Sequence, residues 1–418
     1  MRIRLKKNPL KGDRVIWIIM TIMCLASLLV VTSSTASLAY KRNDLTYFFF
    51  NHLFNVVCAL GGAFIFQYVK MEWWKRWGNI LFLLIVFLLL VVGFFGAVIN
   101  SAARWAFIPI IDKTFQPSYA AKILLVIVLA YQLAQRKNLS KLKLLPSLNP
   151  MDWQRNYEEN MNILIRTTLP ILMPVAVVCF LIMLSNLSTA IMIGVCSLIM
   201  IKVSGIKWRE ISRLLGFVLV VAAFLFSVLY AAGFDRMETW GNRIKGYFVP
   251  QTEQVEKSAG VERIENQVYQ SKVAIASAGI FGKGPGNSTQ RSNLPLAHAD
   301  YAYAFIIEEY GIVGAIIVLI MYLTIFYRSF LIAKHSRSHF NGLISFGLGL
   351  TVMIQAAVNM GVSVSLIPVT GQSLPFLSHG GSSLLFTGIS LGIIQSIARQ
   401  NEEEDMAEAE RIDELEGA

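Results

Sequence analysis

Charge is what this sequence has least of. Only 15% of its 418 residues are Asp, Glu, Lys or Arg, whereas a soluble globular chain carries roughly a quarter. With 55% hydrophobic residues and a mean hydropathy of +0.56, that shortage excludes an ordinary soluble domain. Cysteine is scarce too: Cys24, Cys58, Cys179 and Cys196 each lie in an apolar run. They read as packing residues and exclude a disulfide framework or a thiolate metal site. No CxxC, HExxH, Walker A or GxGxxG pattern stands in a supporting context, so zinc, nucleotide and dinucleotide chemistry lack a footing. The net charge of +11 would suggest a nucleic-acid partner in a soluble chain. Here the basic residues sit in short loops between apolar runs, and membrane topology accounts for them without nucleic acid.

What is present is a series of runs near or above the ~20 apolar residues that cross a bilayer. Ten spans are expected, at about 15–37, 47–69, 78–98, 119–135, 164–184, 189–206, 212–233, 302–327, 341–363 and 380–398. The reading is an all-α polytopic membrane protein. It comprises a basic N-terminus (1–14), a ten-helix membrane domain (15–398) and an acidic tail (399–418). The first span is too long, and lacks the small-residue cleavage site, for a removable signal peptide. Basic residues cluster before span one (Arg2, Arg4, Lys6, Lys7) and after spans two (Lys70, Lys75, Arg76) and four (Arg136, Lys137, Lys141). The intervening loops are poorer in them, which puts both termini in the cytoplasm. From Asn401 onward nine acidic residues accompany a single Arg, a solvated or partly helical extension. The long segment 234–300 falls on the outer side, between spans seven and eight. Its stretch YQSKVAIASAGIFGKGPG (269–286) joins an amphipathic part to a Gly-rich turn and is expected to fold back onto the membrane surface.

Three polar groups gather on that outer side. In SNLPLAHADYAYAFIIEEYG (292–311), Asp300 opens span eight and fits either a helix N-cap or a reactive carboxylate. His298 precedes it, and Glu308 and Glu309 lie about 12–14 Å deeper. Ionisable groups at that depth face a bundle interior or a wet cavity. Adjacent positions point about 100° apart, so the two glutamates do not share one role. The second group, 100–122, brings Arg104, Trp105, Lys113 and Lys122 to the interface. Lys122 lies inside an apolar run and needs an anion nearby. The third, 359–385, contains two prolines and four glycines but no Lys or Arg. It fits two descriptions: an anion site made by Gly-rich backbone at a helix N-terminus, or a re-entrant turn that packs. Together the three suit a polar head group bearing a pyrophosphate on a lipid tail.

The segment LIPVTGQSLPFLSHGGSSLL (366–385) resembles the hallmark loop of the SEDS family (shape, elongation, division and sporulation), with its P-x-T-G-x-x-L-P-F-x-S-x-G-G-S-S pattern. LPLAHADYAYAFIIEEYG (294–311) is similar to the family's aspartate stretch, and NSAARW and FQPSYAAK to two further elements. The likeness covers all ten spans. It implies the SEDS bundle and a peptidoglycan glycosyltransferase that polymerises lipid II outside the bacterial plasma membrane, alongside a class B penicillin-binding protein and other division proteins. The GGSS ending and the long 234–300 loop are more like division members, at the septum, than elongation members. Carried over, Asp300 is the catalytic base. Arg104, Lys113, Lys122 and Arg243 are basic positions that, with Ser378, Gly380, Gly381 and Ser382, hold the pyrophosphate, and His298, Glu308 and Glu309 support them. A divalent cation, Mg or Mn, is a possible helper at the pyrophosphate; no resident protein-held metal is expected. Two positions depart from the pattern: Tyr119 stands where the family has Glu, and Asn186 where it has an acid. With Tyr119 unable to pair with Lys122, Glu308 or Glu309 is the expected substitute anion. Alternatives remain a lipid II flippase, an elongation-type polymerase and a non-enzymatic scaffold.

Overall fold

The computed structural model of the chain describes residues 12–42, 45–95, 97–99, 102–108, 113–136, 138–147, 149–233, 240–241, 259–290 and 301–416. Among them nine helices are long and apolar enough to cross a membrane, and an apolar helix of 17 residues, Leu187–Val203, coincides with the expected sixth span. In chain order the long elements are α1 (Arg14–Arg42), α2 (Leu45–Phe66), α3 (Met71–Phe95) and α4 (Pro117–Ala134). After α4 come two short helices, α5 (Pro150–Arg155) and α6 (Tyr157–Ile163), then α7 (Leu169–Met183), α8 (Leu187–Val203) and α9 (Trp208–Ala231). The remainder are α10 (Ala259–Ala276), α11 (Ala302–His335), α12 (His339–Ser363) and α13 (Gly381–Glu416). A π-helical turn, Leu164–Thr168, joins α6 to α7.

Depth in the bundle follows side-chain composition. In the apolar windows of α12 and α13, 72% of residues are buried, against 6% in α9, which lies at the rim. Small residues let α13 reach the centre. A Cβ on Gly388 would lie 2.3 Å from the Ala59 carbonyl oxygen, and one on Gly392 2.6 Å from that of Ala63. Two glycines one turn apart, facing two alanines one turn apart, bring the α2 and α13 backbones together, the packing that helices use where lipid offers no hydrophobic drive.

Both ends of the described chain lie on one face. Asp13 accepts the Val15 and Ile16 N–H groups at 2.9 and 3.1 Å, capping α1. The same residue exchanges two hydrogen bonds with Gln395 of α13 and accepts one from Arg328 of α11 at 2.7 Å. Beyond that level α13 continues as one helix through the acidic tail, where Arg337 pairs with Asp405 and Glu408.

The opposite face adds a small sheet to the helical bundle, which is otherwise as expected. A three-stranded antiparallel sheet, β1 (Ala97–Ile99), β2 (Ala102–Ile108) and β3 (Lys113–Phe115), fills the stretch between α3 and α4. Two of its strands have only three residues, below the length at which alternation becomes a sequence signal.

Candidate functional site

The hallmark segment dips into the bundle. Leu374, Phe376, Leu377 and Ser378 are all buried, and Phe376 takes a left-handed backbone (φ 61°). The Ser378 hydroxyl accepts the Leu374 N–H at 2.7 Å, so it braces its own turn. Tyr322 of α11 donates to the Pro375 carbonyl from inside the bundle. Irregular backbone is tolerated at such depth because protein covers it. The re-entrant description therefore holds, and it ends by presenting Gly380, Gly381 and Ser382 at the N-terminus of α13.

Lys122 meets this segment through a neutral relay. Its amine donates to Gln355 Oε1 at 2.6 Å, and Gln355 Nε2 donates to the Ser373 carbonyl at 2.9 Å and lies 3.2 Å from Ser383 Oγ. The Tyr119 ring lies 4.5 Å from the Lys122 amine, and its hydroxyl is 3.3 Å from Ser373 Oγ. A cation–π contact thus stands where the family's glutamate would pair. Nearby, the Gln372 side chain donates to the Thr189 hydroxyl at 2.5 Å, and the Gln372 backbone carbonyl accepts from Asn359 Nδ2 at 2.7 Å. Asn186 caps α8 by accepting the Thr189 N–H at 3.3 Å.

Fourteen residues separate Lys122 from Arg136, and the same number separates Gly381 from Gln395. Both therefore lie about 21 Å from the terminal face. In a hydrocarbon core of about 30 Å this is the far leaflet, below its surface. The sheet closes over the same place. Ser382 Oγ lies 3.4 Å from both the Gln116 N–H nitrogen and the Thr114 carbonyl, and Phe115 packs against Phe386.

Glu308 and Glu309 belong to a different construction. α11 is broken at Gly311 (φ 70°, ψ −168°), and the segment after α10 fills the break. Lys283 and Gly284 donate their N–H groups to the Glu308 and Glu309 carbonyls, both at 2.9 Å. The Gly279 and Ile280 carbonyls accept from Ile312 and Val313 at 3.4 and 3.3 Å. Two orphan carbonyls on one side of the break and two orphan N–H groups on the other are thereby satisfied. Side chains complete the clasp. Glu308 accepts from Lys283 at 2.7 Å, Ser288 at 2.5 Å and the Thr289 N–H at 3.0 Å. Glu309 accepts from Ser33 of α1 at 2.5 Å and from the Gly286 N–H at 3.0 Å. The two glutamates do serve separate roles, but neither is the anion for Lys122, whose described partners include no carboxylate. Glu308 is taken up by Lys283, a residue with no distinguishing sequence mark.

Two of the three expected groups thus meet in one place: Lys122, and Gly380 to Ser382 with the strands that carry Arg104 (β2) and Lys113 (β3). Asp300, His298 and Arg243 lie outside the described residues. Gln355 was not singled out, although a lone glutamine inside an apolar span is a signal of its own. A divalent cation finds no cage among the described residues: no three His, Cys, Asp or Glu side chains gather, and Glu308 is occupied by its donors.

Comparison with known proteins agrees with these features. A family model for FtsW/RodA/SpoVE, described as cell cycle protein, matches residues 13–403. The probable peptidoglycan glycosyltransferase FtsW of Hydrogenovibrio crunogenus is 29% identical over 385 residues, covering 90% of this chain and 89% of that one. The probable peptidoglycan glycosyltransferase FtsW of Haemophilus influenzae is 28% identical over 407 residues, covering 95% and 93%. Among solved structures, a chain of a peptidoglycan synthase complex superposes with a TM-score of 0.63 at 20% identity, covering 93% of this chain and 98% of that one. The rod shape determining protein RodA of Thermus thermophilus gives 0.60 at 20%, covering 93% and 97%. The resemblance drawn from the motifs is borne out: the chain belongs to the FtsW/RodA/SpoVE family of cell cycle proteins and has that family's polytopic helical fold.

Proposed function

We propose that this chain is a peptidoglycan glycosyltransferase that polymerises lipid II at the outer face of the bacterial plasma membrane, in the septal wall. The observation that carries the reading is Lys122: an ammonium buried in the far leaflet, beside the N-terminus of α13, with only neutral described partners. A desolvated cation and a helix N-terminus together favour an anion, and the pyrophosphate of a lipid-linked sugar supplies one at that depth. The terminal face is then cytoplasmic, in keeping with its basic loops.

In this reading Asp300 takes the proton from the acceptor 4-hydroxyl as that oxygen attacks the anomeric carbon of the donor. The bond to undecaprenyl pyrophosphate breaks in the same step, with inversion. Arg104, Lys113, Lys122 and Arg243 stabilise the charge that gathers on the departing pyrophosphate. A class B penicillin-binding protein cross-links the product. The flippase alternative needs a polar route through the terminal half of the bundle. Lys202, the cation in a position to line it, instead donates to the Ile206 carbonyl at 3.0 Å and lies over the Trp208 ring. Purified protein incubated with labelled lipid II, with and without the partner, tests the proposal. Asp300→Asn should abolish glycan strands while retaining the melting profile of the parent. Normal strands from that variant would remove the base assignment, and movement of lipid II without polymer would favour the flippase.

A further inference from the structure

The clasp at Gly311 leaves two large apolar side chains outside it. Ile280 is 63% and Phe281 80% exposed, although the backbone on either side is tightly held. A Cβ on Gly282 would lie 2.3 Å from the Glu309 carbonyl oxygen, and one on Gly311 2.1 Å from that of Ile280. The tip therefore cannot retract without undoing the break. Its one cation, Lys283, is turned back onto Glu308 and Thr289, so the tip carries no free charge. Directly below it the outward face of α11 is Ile312, Val313, Ile316, Ile317 and Ile320, each 39–53% exposed. That stripe belongs to an apolar span and faces lipid.

Depth places the tip on the same surface. Arg328, bonded to Asp13 at the cap of α1, marks the terminal boundary, and seventeen residues separate it from Gly311. The break therefore stands about 26 Å up, inside or at the edge of a hydrocarbon core of about 30 Å. At that height an exposed Phe281 meets acyl chains or the headgroup boundary and not bulk water.

We propose that Ile280 and Phe281 form a wedge embedded in the leaflet opposite the termini, at the boundary of acyl chains and headgroups, with bilayer lipid as its partner. The wedge anchors the clasp to the membrane, and with it the near end of the segment that leads to residue 300. The inference rests on the bundle crossing a membrane and not on the proposed reaction.

A nitroxide on Phe281→Cys in proteoliposomes tests it, read as relaxation by oxygen, which partitions into lipid, against a water-soluble nickel complex. The parent protein, treated identically, gives the background from its own cysteines. Ile316→Cys supplies the lipid reference and Glu410→Cys the aqueous one. Phe281→Cys should match Ile316→Cys, with oxygen dominating, and the oxygen preference should weaken only slightly toward the headgroups. Dominance of the nickel complex, as at Glu410→Cys, would overturn the proposal by putting the tip in water. Protection from both reagents would overturn it by putting the tip under protein.

Discussion

Glu308 offers the sharpest test of how the broken helix is held. Of the four hydrogen bonds it accepts from described residues, three converge on Oε1, from Lys283 at 2.7 Å, the Thr289 N–H at 3.0 Å and the Thr289 hydroxyl at 2.8 Å. Among the described residues Ser288 alone bonds Oε2, at 2.5 Å. A glutamine can keep its oxygen at the first position and turn its NH2 toward Ser288, whose hydroxyl is able to accept. Glu308→Gln therefore removes charge while retaining geometry. The difference between charge-assisted and neutral hydrogen bonds makes the loss about 2 kcal/mol. Glu308→Met also strands Lys283 and the Thr289 N–H, as in a broken buried pair, and should cost about 4 kcal/mol. The place to read this is local opening, because a polytopic bundle need not unfold in two states. Hydrogen exchange at the amides of Lys283 and Gly284, which bond the Glu308 and Glu309 carbonyls, should quicken about thirtyfold in the first variant and approach a thousandfold in the second. Lys283→Met combined with Glu308→Gln should fall short of the sum of the single effects, since one interaction is removed twice. Exchange in Glu308→Met within about twofold of the parent, the scatter of an inconsequential surface change, would refute the idea that this carboxylate holds the clasp.

Two further substitutions probe the bundle. Gly388→Ala should destabilise the protein in detergent by about 1–3 kcal/mol through overpacking against Ala59, read as a lower melting temperature. Gly61→Ala and Gly93→Ala, whose Cβ atoms would meet nothing within 4 Å, should melt at or slightly above the parent. Gln355→Leu removes the hydrogen-bonding partner of Lys122 and leaves the Ser373 carbonyl unpaired, at a cost of about 2–4 kcal/mol from one charged and one neutral bond. Adding Lys122→Met should recover part of the melting temperature without restoring polymerisation of lipid II. Recovery of both would separate Lys122 from the reaction.

Much of the architecture was legible in residue order. Apolar runs of bilayer length announced the spans, and the basic loops announced a common face for the termini. The Gly-rich turn of 269–286 was visible as a segment that folds back. The membrane surface was its expected seat; its backbone clasp on the broken α11 was not visible. Gly311 interrupts the run 302–327 just after Glu308 and Glu309, but two carboxylates in an apolar span read as site residues and not as a break, because a backbone kink has no hydropathy signature of its own. The sheet between α3 and α4 was hidden because two of its three strands are too short to alternate. At the candidate site, Gly380 and Lys122 were both readable, one as a helix start after a turn and the other as a cation in an apolar run. The glutamine joining them was not.

Sequence alone determined that this chain lives in a bilayer, about where its helices begin and end, and which polar groups such a setting must accommodate. Those conclusions need only local composition, since a run of apolar residues meets the solvent requirement of lipid regardless of its neighbours. Tertiary structure decided how each polar group was satisfied. Lys122 takes Gln355, 233 positions away, and Glu309 takes Ser33, 276 away. Such pairings are set by which helix faces meet and at what height, and nothing within either segment encodes the face its partner will present. Hence Glu308 and Glu309, which read as candidate counter-ions for a distant lysine, hold together the helix they interrupt.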